Sequence, residues 1–439
     1  MRNNAAVARA HAMIARYLDR RQLYPFQIAG QPAPDLRLII VIPCFDEPDI
    51  TGVLESLGDC ERPCGEVEIL VVINAPRGAP PEALRANEAA REASIAWASA
   101  RAPDWLRCHV IWHPDLSPAH AGVGMARKIG MDEAASRLSA SRHGDGVIAS
   151  LDADCRVAPN YPGAIVDAFQ RRSSCPGMSI YFEHPLSAAE GDTLGAAVAE
   201  YELHLRCYVA GQRLARFPYA FHTIGSAMAC RASAYAAQGG MNRRQGGEDF
   251  YFIQKLVSLG RYRTLNDTVV FPGVRLSQRV PFGTGQAAGR LLRDRCGLMT
   301  YDPLVYRDLG RFSQTIADLQ SVDPEQLACR WSLAMRQFLE DQRFANAIGE
   351  IRANVASPAA FRRRLLRWFN AFRFMKFAQF ASRHHYPRLP VARAAQALAL
   401  SLGSPDCPDC PRELLKRFRG LDRLAPACAN GFGDPDNSI

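Results

Sequence analysis

Two aspartates one residue apart close a short apolar run at Leu151-Asp152-Ala153-Asp154. Residues 147–151 read as a buried strand that delivers charge to its carboxyl end. Side chains at i and i+2 of a strand point the same way, so Asp152 and Asp154 can reach one hard cation. Mg2+ and Mn2+ are usually held by one or two carboxylates, with substrate phosphates completing the shell. A second acidic pair follows two glycines at Gly246-Gly247-Glu248-Asp249 and opens an apolar helix. Acids in that position either stabilise the first helical turn or supply a general base to an attacking hydroxyl.

Three further stretches sit where ligands bind in open α/β sheets, at the carboxyl ends of strands. Pro43-Cys44-Phe45-Asp46-Glu47 ends the first strand-like run. It reads either as a turn with solvated acids or as the wall of a nucleotide pocket, with Phe45 against a base and an acid on a ribose hydroxyl. Asn74 ends the second run and can pair with a base or ribose, although asparagine is also a common turn residue. Between His120 and Gly130, glycines open a helix with Arg127 and Lys128 in its first turns. Helix N-terminal amides favour anions, and a guanidinium can grip a phosphate with two donors. The glycine spacing matches neither a Walker A loop nor a dinucleotide fingerprint.

The elements that must position these residues alternate. Runs at 36–42, 67–73, 106–112 and 147–151 are short, several of them rich in β-branched residues, and helix-like segments at 49–57, 81–99 and 122–139 separate them. Strands alternating with helices predict a mostly parallel, Rossmann-like sheet covered on both faces. Beyond Asp154 the pattern predicts a helix over 159–171, a strand over 178–182, a long helix over 188–214 and another over 248–260. Residues 1–34 read as a helical arm. Residues 276–300, rich in glycine, read as a flexible loop or lid. Residues 301–439 read as a basic, mainly helical C-terminal region.

The chain has 439 residues, 48% of them apolar and 22% charged, and a net charge of +9. That describes an ordinary globular protein whose basic balance suits an anionic partner. Its thirteen cysteines are scattered, which fits free thiols in a reducing compartment better than a disulfide framework. No apolar run approaches the ~18 residues of a membrane span, and charged residues interrupt any signal-like segment near the start. The expectation is a cytoplasmic protein, with peripheral contact to the inner membrane as an alternative.

Taken in order, Pro-x-x-Asp-Glu after the first strand, Gly-x-x-x-Ala-Arg-Lys-x-Gly, Leu-Asp-Ala-Asp, Gly225-Ser226, Gly239-Gly240 and Glu248-Asp249 with its helix form a set. The set resembles the family 2 glycosyltransferases of the GT-A fold, over about residues 36–267. The resemblance implies a GT-A catalytic domain over 35–275, a nucleotide-sugar donor, Mn2+ or Mg2+, and inversion at the anomeric carbon. It also implies roles residue by residue. Pro43, Phe45 and Glu47 would line the nucleoside site, with Asn74 standing where an acid often contacts the base. Arg127 would lie near the diphosphate. Asp152 would face the ribose or metal, and Asp154 would bind the metal. Gly225 and Ser226 would border the sugar and acceptor pocket. Asp249 would be the base, with Glu248 positioning it. Asp46 stands where the family usually has asparagine. No Gln-x-x-Arg-Trp motif follows, so single transfer is expected rather than polymerisation.

The stretch 275–285 reads as a lid carrying Arg279 to the leaving diphosphate, or as a plain surface loop. The acceptor is a glycan, a lipid-linked molecule or a small molecule. The Cys407/Cys410 pair has zinc spacing but no second pair at a usual distance. A basic, aromatic segment at 361–380 lacks any nucleic-acid module signature; it reads as core or as a membrane-lying helix, and no nucleic-acid partner is expected. The competing functions are a nucleotidyltransferase on a similar sheet and a non-catalytic, basic membrane- or polyanion-binding protein.

Overall fold

The structure is a computed structural model that describes residues 2–187, 192–275, 284–294, 297–404 and 408–425. Two compact units are present. The first comprises Met1–Pro185, Thr223–Leu256 and Tyr262–Gly283; the second comprises Leu186–His222, Val257–Arg261 and Thr284–Ile439.

In chain order the elements are α1 (Arg2–Arg21), β1 (Leu36–Cys44), α2 (Ile50–Gly58), β2 (Glu66–Pro76), α3 (Pro81–Ala100) and β3 (Leu106–Leu116). Next come α4 (Val123–Ala140), β4 (Val147–Ser150), β5 (Arg156–Val157), α5 (Tyr161–Arg171) and β6 (Gly177–Phe182). After α6 (Thr193–Leu214), which belongs to the second unit, follow β7 (Met228–Arg231), α7 (Ala232–Ala237), α8 (Glu248–Val257) and β8 (Arg263–Phe271).

One eight-stranded sheet runs in the order β3-β2-β1-β4-β7-β6-β8-β5. β1 pairs in parallel with both β2 and β4, β2 with β3, and β6 with β8. β7 is antiparallel to β4 and β6, and β5 to β8. The sheet is therefore mostly parallel, as the alternation predicts, with helices packed around it. Its centre is buried because β1 and β2 are apolar on both faces: Ile39, Ile40, Val41, Leu70 and Val71 are inaccessible. This is the pattern of a strand covered on both sides.

Sequence reading found no strand at β5, β7 or β8. β7 has four residues and β5 two, too short for a period to register, and Asn266-Asp267 breaks the apolar pattern of β8. Their pairing comes from neighbours already in the sheet.

Small residues and buried charge fix how helices sit on the sheet. A Cβ at Gly130 on α4 would meet Val41 Cγ1 at 2.5 Å and Val72 Cγ2 at 2.7 Å, so only glycine lets α4 lie this close to β1 and β2. Arg137 at the far end of α4 forks onto both oxygens of Glu68 on β2, at 2.6 and 2.7 Å, and both side chains are buried. The N-terminal arm docks through Ala10, Ile14 and Tyr17, spaced to share one helix face. Tyr17 donates to Asp132 at 2.7 Å and accepts from Lys128 at 2.7 Å.

The second unit is helical. Arg206 on α6 is fully buried and bonds Glu202 at 2.8 Å and Asp422 at 2.5 Å, while His222 approaches Asp422 at 2.9 Å. Arg419 closes the cluster on Glu202, so charge pairing ties the helix Pro411–Leu424 to α6. The Gly-rich stretch behaves differently from the loop expectation over its described part. Thr284–Asp294 is a helix, because Ala287, Ala288, Leu291 and Leu292 are good helix formers. Residues 276–283 lie outside the described residues.

In the basic aromatic segment, Phe361, Leu365, Phe369 and Phe374 are buried in this unit's own core. Trp368 and Phe372 are half-buried. Trp368 packs on Phe344 at 5.2 Å and carries the Arg373 guanidinium over its ring at 3.7 Å. Much of the apolar face is thus packed within the unit, with Trp368 and Phe372 covered in part. No described helix is long and apolar enough to cross a membrane. Every described cysteine is free; Cys407 lies outside the described residues.

Candidate active site

The carboxyl ends of β1 and β4 lie side by side, because Val41 pairs with Ser150 and the Leu151 N–H donates to the Val41 carbonyl at 3.1 Å. This register brings the loop 43–47 beside the turn 151–154. Asp46 takes a left-handed backbone, φ 50°, and its N–H donates to Asn87 of α3 at 2.8 Å. Asparagine and aspartate tolerate that conformation better than most residues. Pro43 and Phe45 are half-buried, and Glu47 is buried.

Arg127 occupies the middle of the site and is 3% exposed. Its Nε donates to Ser150 Oγ at 3.0 Å, one terminal nitrogen to Asp152 Oδ1 at 2.5 Å, and the other to Glu248 Oε1. The guanidinium therefore links the acid pair after β4 to the acid pair that opens α8, with Glu248 lying 121 residues from Arg127 in sequence. Gly225 roofs it: a Cβ there would lie 2.5–2.7 Å from the guanidinium atoms. Ser226 is buried and hydrogen-bonds the Cys155 thiol, whose pKa burial pushes up.

The glycines before Arg127 have a packing reason. A Cβ at Gly124 would meet the Arg244 carbonyl at 2.3 Å, and Gly122 lies against Gln245. The 242–245 segment covers the start of α4, where sequence reading saw an opening for an anion. Asn74 is buried and donates its side-chain amide to the Gly122 carbonyl at 3.2 Å, so it helps fix that same turn. Lys128 is buried with Tyr17 and Asp132.

Glu248 and Asp249 differ in environment. Glu248 is buried and ion-paired with Arg127. Gly247 precedes it with φ 69°, a conformation that favours glycine. Asp249 is half-buried and accepts from the Phe250 N–H at 2.7 Å. Loss of surrounding water, then the neighbouring Glu248 charge, push its carboxyl up to about 6, although Arg127 opposes the rise. A carboxylate with that pKa is ionised near neutral pH and still basic enough to accept a proton.

Asp152 and Asp154 have separate partners. Asp152 turns to Arg127, whereas Asp154 Oδ2 lies 3.4 Å from Arg275 Nε. The same Arg275 forks onto both oxygens of Glu47. Sequence reading missed Arg275, for it follows an unrecognised strand and belongs to no motif. It also missed Ser150 and Asn87. Arg279 lies outside the described residues.

The site can host a hard cation by its donor chemistry. Asp154 offers carboxylate oxygens at a side-chain exposure of 31%, and Asp152 at 40%. Among the described residues no group of three or more His, Cys, Asp or Glu is arranged to hold a metal ion. The residues present fit a cation bound partly by protein carboxylate and partly by ligand oxygens, and do not form a closed cage. A cavity of about 690 Å³ lies within the second unit, with Arg307 and Arg311 on its wall and Asp302 as its sole acid. It has no acid pair, so the site of the first unit is the stronger candidate for chemistry.

No family model matches the chain, and no curated protein matches it. Among solved structures it overlaps residues 1–349 of S. aureus TarS in complex with UDP-GlcNAc, at 12% identity over 88% of this chain and 92% of that one, TM-score 0.38. It also overlaps a mannosyltransferase, PcManGT from Pyrobaculum calidifontis, in complex with GDP-Man and Mn2+, at 16% identity over 96% and 97%, TM-score 0.33. Overlaps this loose carry no weight for function, which rests on the residues above.

Proposed function

We propose that the chain is an inverting glycosyltransferase that moves one sugar from a nucleotide-diphosphate sugar to an acceptor hydroxyl, assisted by Mn2+ or Mg2+. The observation that carries the reading is the division of labour between Glu248 and Asp249. Glu248 is spent on Arg127, which leaves Asp249 as the proton acceptor of the pair, with its pKa raised to about 6. Inversion needs one base on the face opposite the leaving group, by analogy with inverting hydrolysis.

In this reading Asp249 takes the proton of the acceptor hydroxyl as that oxygen attacks the anomeric carbon. The Phe250 N–H orients its carboxylate. Arg127 acts as a strut beneath the pocket: it is buried, and each of its three nitrogens donates within the site, to Ser150, Asp152 and Glu248, so it aligns donor-side and acceptor-side acids instead of touching the diphosphate. Gly225 and Ser226 border the reacting sugar. Pro43, Phe45 and Glu47 line the nucleoside side, and Asp152 faces the ribose. Asp154 would hold the cation, which when bound neutralises charge growing on the leaving diphosphate.

Charge balance favours such a cation. Among the described residues, Glu47, Asp152, Asp154, Glu248 and Asp249 lie around two guanidiniums, Arg127 and Arg275. A diphosphate entering that excess of carboxylate needs added positive charge.

The test is a thermal-shift panel of UDP, GDP and their sugars with and without Mn2+, since a ligand that binds only the folded state raises its melting temperature. Wild type should respond to one nucleotide with Mn2+, and Asp154→Asn should lose the Mn2+-dependent part. Asp249→Asn should keep the response and lose sugar transfer by at least ~10²-fold. Glu248→Gln failing while Asp249→Asn stays active would move the base to Glu248. No response to any nucleotide would sink the reading.

A further inference from the structure

Arg275 has no role in the sequence-based assignment, and its surroundings suggest one. It follows β8, and Gly273 lets the chain pass directly over Asp154: a Cβ at 273 would meet the Asp154 carbonyl at 2.9 Å and its Cβ at 3.1 Å. From there the guanidinium reaches both oxygens of buried Glu47, one of them at 2.8 Å, and its Nε comes within 3.4 Å of Asp154 Oδ2. Glu47 Oε1 also accepts from the Asp49 N–H at 3.3 Å. The fork holds Arg275 in place by Glu47 and keeps its charge within ion-pair range of Asp154.

We infer that Arg275 is a built-in counter-cation that competes with the divalent ion for Asp154, so that the ion binds well only together with the donor's diphosphate. The inference rests on the proposed function, since it assigns Asp154 to a cation. The physical reason is simple. A divalent ion held by Asp154 would lie within a few ångströms of the Arg275 guanidinium, whose Nε is 3.4 Å from Asp154 Oδ2. Two cations at that range repel strongly in a partly buried setting. An incoming diphosphate supplies negative charge for both. Glu47 keeps Arg275 at the site in either state.

The test uses Mn2+ alone, read as the loss of the free-ion paramagnetic resonance signal, on the full chain without nucleotide. Wild type and Asp154→Asn should bind Mn2+ equally weakly. Arg275→Gln, which keeps a donor for Glu47, should bind at least roughly tenfold more tightly, because one positive charge has left the vicinity. Adding Asp154→Asn to it should return binding to the wild-type level. If Arg275→Gln binds Mn2+ no better than wild type, the inference is wrong. It is equally overturned, without need of any Arg275 variant, if wild type alone binds Mn2+ tightly and Asp154→Asn abolishes that binding. Failure of wild type to bind UDP or GDP would instead fall on the proposed function, because this test contains no nucleotide.

Discussion

Removing the charge of Asp249 should stabilise the fold at neutral pH and, on the proposed function, abolish transfer. The carboxyl is held at about 6 in the folded chain against an ordinary value of 3.8. Below both values the folded and unfolded chains are equally protonated, and the group contributes nothing. Between them the folded chain keeps a proton that the unfolded chain has released, so stability falls as pH rises. Above about 6 the full cost is in place. At about 1.4 kcal/mol per pH unit, the gap between the two values corresponds to about 3 kcal/mol. Asp249 is half-buried, and the remaining water contact lowers that figure; a gain of about 1–3 kcal/mol is expected for Asp249→Asn at pH 7.5. The asparagine carbonyl can still accept from the Phe250 N–H, so the helix start loses little. Urea unfolding of both proteins at pH 4 to 8 measures this directly. The variant should be the more stable at pH 7.5, and the two curves should converge toward pH 4. A variant that is equally or less stable at pH 7.5 would refute the idea that Asp249 is a strained, desolvated acid held ready as a base.

Two other substitutions separate the site from the scaffold. Gly225→Ala would put a Cβ 2.5–2.7 Å from the Arg127 guanidinium; we expect a loss of about 1–3 kcal/mol in thermal unfolding, as for overpacked cores, and a fall in kcat of at least ~10-fold as Asp152 and Glu248 lose alignment. Gly163→Ala, with open space around its Cβ position, is the matched control and should change neither. Arg137→Met leaves Glu68 buried without its partner and should cost about 3–5 kcal/mol by urea unfolding. The proposed site lies at the other end of α4, so kcat per folded molecule should stay unchanged.

Much of this protein is readable from local pattern. The parallel half of the sheet is evident because a strand buried on both faces reads as a near-continuous apolar run, and 38–42 and 69–73 are such runs. The two acid pairs are evident because paired carboxylates at a strand end or after a glycine turn stand out against the apolar segments beside them. Tertiary structure decided what those acids do. Arg127 stands at a helix start, which suggests a phosphate ligand; only the arrival of Glu248 from 121 residues away shows its guanidinium to be internal. Arg275 and Glu47 are 228 residues apart, and their pairing requires β8 to enter the sheet beside β6 and β5. Glu248 and Asp249 are adjacent acids in the chain, and burial by distant segments made one a salt-bridge partner and the other a raised, basic carboxylate. Periodicity and turn chemistry act over a few residues, whereas desolvation and ion pairing act between whatever segments the sheet order brings together.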